Sequence, residues 1–209
     1  MSATSASRLQ SALALAWALL LAGALIGPWL VASPTLGDDR TRFTVRVALL
    51  FYALAAGLML FLDPAGWRAA TTPGRLARTC WALGVAAFLV HVGLAFHYHH
   101  GWSHAEAMRH VERVSGFGPG LFFSYLFTLL WSGDAVWWLL APLSYAARPA
   151  WVGWALHAYL SFIAFNATVV YEQGFIRWAG LAATVALASL ALASRLRDRR
   201  EASLGDLSS

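Results

Sequence analysis

Histidine is the residue type with the most chemical promise in this chain, and its seven copies are unevenly placed. Six of them fall between positions 91 and 110, and one stands apart at position 157. An imidazole can bind a metal or a haem iron through its neutral nitrogen, and it exchanges protons near neutral pH. His91 and His157 lie inside long apolar runs. Because an ionisable group at membrane depth is costly, both are candidate functional residues.

The elements that carry these histidines are apolar segments of membrane-spanning length. The chain is 59% hydrophobic and 12% charged, whereas a soluble domain has about 25% charged residues. Runs of roughly 20 apolar residues cross a bilayer as helices, and no run alternates with the period of a transmembrane strand. We predict an all-α integral membrane protein, one domain over residues 1–209, with six transmembrane helices at about 9–31, 44–62, 76–99, 121–142, 151–171 and 175–193 and a polar cytoplasmic tail at 194–209.

Charge supports this class and predicts an orientation. The chain has no lysine, and its fifteen arginines divide as nine on the side of the termini and six on the other side. Positive residues favour the cytoplasmic side, so we expect both termini there, in a bacterial inner membrane, with lipid as the surrounding partner. The arginines stand singly between apolar blocks, which excludes a nucleic-acid partner. Cys80 is the only cysteine, which excludes a disulfide scaffold.

The longest outer loop contains a helix signal. Ser103 and Glu106 have the spacing of a capping box, and Arg109 and His110 follow Glu106 at helical spacing. We expect a short helix at about 104–114 that lies at the outer interface. A plain surface connector that happens to be helical is the alternative.

His91 and His157 could bind a cofactor together. They belong to the third and fifth predicted helices, which run parallel, and their depths differ by up to about 10 Å at 1.5 Å per residue. Two imidazoles can fill both axial positions of a haem iron, which then passes electrons rather than binding oxygen. In the alternative, each is a buried histidine that is hydrogen-bonded to a neighbouring helix.

Three short motifs carry a resemblance to a known family. They are the arginine-bearing turn before His91, the run Trp154-Ala155-Leu156-His157, and the segment 44–49, which opens the second helix. On these motifs, residues 42–195 resemble the ferric reductase-like transmembrane domains, especially the haem-binding membrane subunits of bacterial methionine sulfoxide reductase systems. The resemblance implies haem b between His91 and His157. Val170 stands where the family has a further histidine, so one haem is expected.

The same resemblance implies electron transfer. Electrons would pass from quinone or a cytoplasmic donor to an outer partner protein. The chain has no glycine-rich nucleotide motif between a strand and a helix and no soluble domain that could hold flavin or NADPH. Any electron donor or acceptor would therefore be another protein or a membrane quinone, and the chain would be an oxidoreductase subunit. A non-catalytic subunit of a larger membrane complex is also compatible with this composition.

The outer histidines suggest a second chemistry. His97, His99, His100 and His104 are close enough in sequence to bind copper, zinc or iron. A metal-dependent membrane enzyme is therefore an alternative function. The other interpretation is a rim of interfacial histidines and aromatic residues at headgroup level.

Asp134 is the remaining costly residue, because it lies within the fourth apolar run. An acid at this depth can pair with an arginine, stay protonated, or serve proton or quinone chemistry. We therefore treat Asp134 as a candidate catalytic acid. A hydrogen-bonded contact between helices is the alternative role.

Overall fold

The chain forms helices joined by short turns. The computed structural model describes residues 3–206, and the side chains of residues 5–197, and no strand occurs in that range. Two π-helical turns, Phe96–His100 and Asn166–Val170, continue α4 and α8. The helices are α1 Ala3–Leu30, α2 Leu36–Met59, α3 Pro64–Trp67, α4 Thr72–Ala95, α5 His104–Ser115, α6 Leu121–Leu140, α7 Pro142–Ala146, α8 Ala150–Phe165 and α9 Gly174–Asp206.

Within the described residues, five segments are long and apolar enough to cross a membrane. They belong to α1, α2, α4, α8 and α9, each with its π-helical extension where it has one. Helix α6 reaches the same length and composition together with α5, from which it is bent by 109°. The predicted all-α, multi-pass membrane fold is therefore confirmed for the described residues, with five spans, or six if α6 also crosses.

Helix ends differ from the predicted spans where charged residues join a helix. Asp38 and Asp39, expected in a loop, lie in the first turn of α2, where acidic side chains favour the helix dipole. The Ser33 hydroxyl donates to Asp39 Oδ2 at 2.6 Å. The segment expected as a polar tail continues α9 as far as Asp206, and residues 207–209 lie outside the described range.

Contacts between helix ends define the two ends of the bundle. Gln10 Nε2 near the start of α1 donates to Thr79 Oγ1 in the first half of α4, at 2.9 Å. Ser194 in α9 donates to a backbone carbonyl just after α2. We call this the terminal end. At the opposite end, Arg40 in α2 donates to the Tyr98 hydroxyl at 2.8 Å.

Helices α2 and α4 pack most closely, and small residues make this possible. Ala48 and Ala55 of α2 and Ala77 of α4 are fully buried. A Cβ placed at Gly84 would lie 3.0 Å from the Trp131 ring of α6. Small side chains let helix backbones approach closely in a membrane, and here they bring α6 against the α2–α4 pair.

Candidate functional site

An aromatic column fills the centre of the bundle between α2, α4 and α6. Neighbouring ring centres in it are 5.1–5.5 Å apart. Offset and edge-to-face pairs at this spacing are favourable, and most of these rings are buried. The column consists of Tyr52, Trp81, Phe88, Phe127 and Trp131.

Asp134 lies beside the column and connects three helices. Its side chain is buried, and Oδ2 accepts hydrogen bonds from Trp81 Nε1 of α4 at 2.8 Å and from the Tyr145 hydroxyl of α7 at 2.9 Å. Asp134 is six residues before the end of α6, which places it roughly 9 Å from that end at 1.5 Å per residue. Both donors reach one oxygen, so the second carboxyl oxygen is left for another partner.

Tyr145 and Arg148 cover Asp134 from the terminal end. The Tyr145 ring stacks on Trp138 with centres 4.9 Å apart. The Arg148 guanidinium lies 3.7 Å from the Tyr145 ring centre and 5.0 Å from that of Trp67, and it donates to the Tyr145 carbonyl at 2.8 Å. Burial and the nearby Asp134 charge raise the pKa of Tyr145. Its hydroxyl donates to the carboxyl group.

His157 lies at the level of Asp134 rather than of His91. Its imidazole centre is 5.5 Å from that of Trp81, and its Nε2 is buried without a hydrogen-bond partner. It is seven residues into α8, roughly 10 Å from the helix start. Arg148 joins this group through its contact with the Tyr145 ring. We call Asp134, Trp81, Tyr145, Arg148 and His157 the Asp134 cluster.

His91 lies near the opposite end of the bundle. Its Nδ1 is 2.9 Å from the Thr41 carbonyl oxygen of α2. A carbonyl only accepts, so Nδ1 carries the proton and Nε2 keeps a lone pair. This is the hydrogen-bonded histidine that the sequence allowed as an alternative to a ligand. It is also the tautomer that leaves Nε2 free to bind a metal.

The two histidines expected to share a haem are not brought together. His91 is nineteen residues into α4 and His157 seven into α8, a difference in depth of roughly 18 Å at 1.5 Å per residue. The rings of Phe88, Trp131 and Trp81 pack one on another between the two imidazoles. Both axial ligands of a haem must reach one iron atom. The arrangement therefore does not fit a haem held by both residues.

Three outer histidines are neighbours at the opposite end. The ring centres of His99, His100 and His110 are 6.2 Å, 6.4 Å and 5.2 Å apart in pairs. His99 Nε2 is 3.6 Å from Asp38 Oδ1 of α2, and His100 Nδ1 is buried without a partner. Among the residues that the structure describes, no three metal-binding side chains already surround a common point.

The other two outer histidines named from sequence point elsewhere. His97 packs against Tyr98, with ring centres 4.7 Å apart. His104 Nδ1 is 2.9 Å from the Tyr125 hydroxyl of α6. The predicted set of four is thus divided, and His110 of α5 joins His99 and His100.

Helix α5 has its own exposed ion pair. Ser103 caps the helix by accepting a hydrogen bond from the Glu106 backbone at 3.3 Å, as the capping-box spacing predicted. Glu106 also pairs with Arg109 one turn later. Hydrogen bonding to this guanidinium holds the pKa of the Glu106 carboxyl below its usual range. The Glu106 carboxylate is therefore already paired with a cation.

Sequence reasoning missed four residues of these two clusters. Trp81 and Tyr145 contact the buried acid, and Arg148 packs on Tyr145, only because α4 and α7 pack against α6. The one usable signal was the i,i+3 spacing of Tyr145 and Arg148 soon after an intramembrane acid. His110 was visible as a histidine, but its approach to His99 and His100 depends on how α5 folds back on the π-helical turn.

The fold defines a multi-pass α-helical membrane protein. Comparisons with protein-family models, with curated proteins and with solved structures gave no match. The features that bear on function are the two polar clusters and the aromatic column that separates them.

Proposed function

We propose that this chain is a membrane protein whose working centre is the Asp134 cluster, and that the cluster takes up and releases protons at the terminal end. The observation that carries the proposal is a buried carboxyl group and an imidazole with a buried nitrogen that contact the same indole, Trp81. Ionisable groups at membrane depth are rare and are typical of proton relays.

Asp134 has the surroundings of a proton-exchanging acid. The Trp81 and Tyr145 donors stabilise the carboxylate through hydrogen bonds, and the apolar rings around them stabilise the neutral acid. Both forms of the carboxyl are thus supported in one geometry. A group that changes protonation state without moving its neighbours is suited to repeated proton transfer.

His157 and nearby polar atoms extend the centre into the bundle. His157 Nε2, Trp131 Nε1 and Ser132 Oγ are buried without partners in the protein. Buried polar atoms of this kind are usually satisfied by internal water. We propose that water joins Asp134 to His157, so that a proton on one can move to the other.

Access is expected from the terminal end alone. Tyr145 and Arg148 supply polar groups between Asp134 and that end, whereas the aromatic column lies on the other side. Its rings offer no continuous chain of proton donors and acceptors toward His91. A one-sided centre fits coupling of protons to transport or redox chemistry better than it fits free conduction through the membrane.

The proposal also includes the orientation of the chain in the membrane and the position of α5. The excess of arginines on the side of the termini favours a cytoplasmic terminal end in a bacterial inner membrane. The 109° bend between α5 and α6 favours an α5 that lies along the outer surface. Protons would then be exchanged with the cytoplasm.

Infrared spectroscopy of the full chain in lipid tests the proposal. The wild-type protein should show a protonated-carboxyl band that disappears as the pH rises and returns when the pH falls. Asp134→Asn should remove that band, because Asn keeps the acceptor oxygen but cannot ionise. Glu112→Gln, on the exposed face of α5, should keep it. Identical pH series for the wild type and Asp134→Asn would refute the proposal.

Electron transfer through haem b is a second proposal, supported by one contact. The bond from His91 Nδ1 to the Thr41 carbonyl leaves Nε2 available as a ligand. His157 does not supply the second ligand in this arrangement, so His91 would need another. Quinone and a partner redox protein would then be the electron carriers. Absence of haem absorption in purified protein, oxidised and reduced, would eliminate this candidate.

A further inference from the structure

We infer that His99, His100 and His110 form a binding site for one divalent transition-metal ion, Zn²⁺ being the best fit, at the opposite end of the bundle. This site lies outside the Asp134 cluster and shares no residue with it. The three side chains come from two elements, the π-helical turn that ends α4 and the middle of α5. Only the fold brings them together.

The ring spacing is close to that of metal-bound histidines. Imidazoles on one tetrahedral ion, with metal–nitrogen distances of 2.0–2.1 Å, have ring centres roughly 5 Å apart. The observed separations are 5.2, 6.2 and 6.4 Å. The nitrogens do not converge on one point in this structure, so the proposed site requires the rings to move together by about 1 Å when the ion binds. Zn²⁺ tolerates such adjustment because its electronic structure imposes no preferred geometry.

Two of the three histidines have a nitrogen to offer a metal ion. His100 Nδ1 is buried and has no hydrogen-bond partner, a costly state that a metal ion would remove. His99 Nε2 points toward Asp38 Oδ1 at 3.6 Å. A carboxylate that holds the far nitrogen of a histidine is a common second partner in zinc sites, and it leaves His99 Nδ1 to bind the metal.

The backbone around the three histidines is held in an unusual shape. Phe96–His100 is a π-helical turn, an element found often at functional sites. The next two residues, Gly101 and Trp102, both have positive φ angles of 51° and 61°. A positive φ is costly for a tryptophan and persists where surrounding structure demands it. Here it turns the chain so that α5 returns against His99 and His100.

The charges nearby leave one acid for the metal. Glu106 is paired with Arg109, so it is not free to neutralise a cation at the site. Asp38 has no arginine partner among the ion pairs of the described residues. Arg113 lies near His110 and opposes a cation. A site of three neutral imidazoles with one carboxylate behind them follows from these contacts.

Zinc titration of the full chain, purified in detergent without a polyhistidine tag, tests this inference. With Zn²⁺ alone and a competing chromophoric chelator, the wild type should bind one equivalent. His99→Ala, His100→Ala and His110→Ala should each weaken binding at least about tenfold, since even loss of an outer partner costs that much. Thermal unfolding would check that each variant folds. If His100→Ala does not fold, His110→Ala on the separate helix α5 carries the test.

Matched controls come from the same segment. His97→Ala and His104→Ala remove histidines that lie outside the cluster, and they should leave zinc affinity unchanged within about twofold. His110→Ala is the most informative variant, because His110 belongs to the cluster found in the fold and not to the four histidines predicted from the sequence. The inference would be overturned if the wild type bound no stoichiometric zinc. It would also be overturned if His97→Ala or His104→Ala lost more zinc affinity than His110→Ala.

Discussion

Replacing Asp134 tests the contacts that define its cluster. In Asp134→Leu the side chain keeps its branched shape but accepts no hydrogen bond, so Trp81 Nε1 and the Tyr145 hydroxyl lose their acceptor. An unsatisfied buried donor costs about 1–3 kcal/mol, and the low end applies because the unfolded chain in detergent also finds partners. With about 1 kcal/mol for each of the two donors, the expected loss in the free energy of unfolding is about 2 kcal/mol. For a chain of this length that lowers Tm by roughly 4–8 °C.

Asp134→Asn is the matched variant. Its amide oxygen can accept from both donors, so its Tm should stay within roughly 2 °C of the wild type. A double-mutant cycle with Trp81→Phe sharpens the test, because that change removes one of the stranded donors. Asp134→Leu should then cost about 1 kcal/mol less than in the wild-type background. Equal losses for Asn and Leu, with an additive cycle, would refute these hydrogen bonds. Thermal unfolding followed by tryptophan fluorescence gives every value.

Two further predictions concern the helix ends. Gly74→Ala should lower the free energy of unfolding by about 1–3 kcal/mol, because its Cβ would collide with the Gly66 carbonyl. In Gly93→Ala, on the same helix, the new Cβ meets nothing within 4 Å, so this control should be neutral or stabilising. Equal effects of the two changes in denaturation would contradict this. The Glu106 carboxyl should titrate below its usual pKa range in carbon NMR, and its pKa should rise toward that range in Arg109→Gln. Because folding lowers the pKa of Glu106, its pair with Arg109 stabilises α5 at pH values above the ordinary pKa of a glutamate. That stabilisation is lost as the pH falls through the lowered pKa. Unchanged titration of Glu106 in Arg109→Gln would contradict this prediction.

Composition and run length were enough to predict the membrane class. Apolar runs of spanning length indicated the helices, and the Ser103 and Glu106 spacing indicated α5, because both signals are local. The first residue of a helix was harder to predict from the sequence. Asp38 and Asp39 look like loop residues, but they extend α2 because acids are favourable in a first turn.

Pairing of side chains between helices was not accessible from the sequence. Whether His91 faces His157 depends on the start and relative height of α4 and α8, and these are set by packing of the aromatic column. The same column explains why His157 contacts Trp81 instead. Asp134 was recognised because an intramembrane acid is costly wherever it lies, but its donors come from other helices.

Asp134 is proposed to exchange its proton with water while the fold stays intact. Transfer of the reconstituted protein into heavy water, followed by infrared spectroscopy, measures this exchange at the carboxyl band assigned with Asp134→Asn. We predict that the band shifts on deuteration well before the protected backbone amides of the core exchange. A carboxyl that exchanges only when those amides do, through unfolding, would contradict the account.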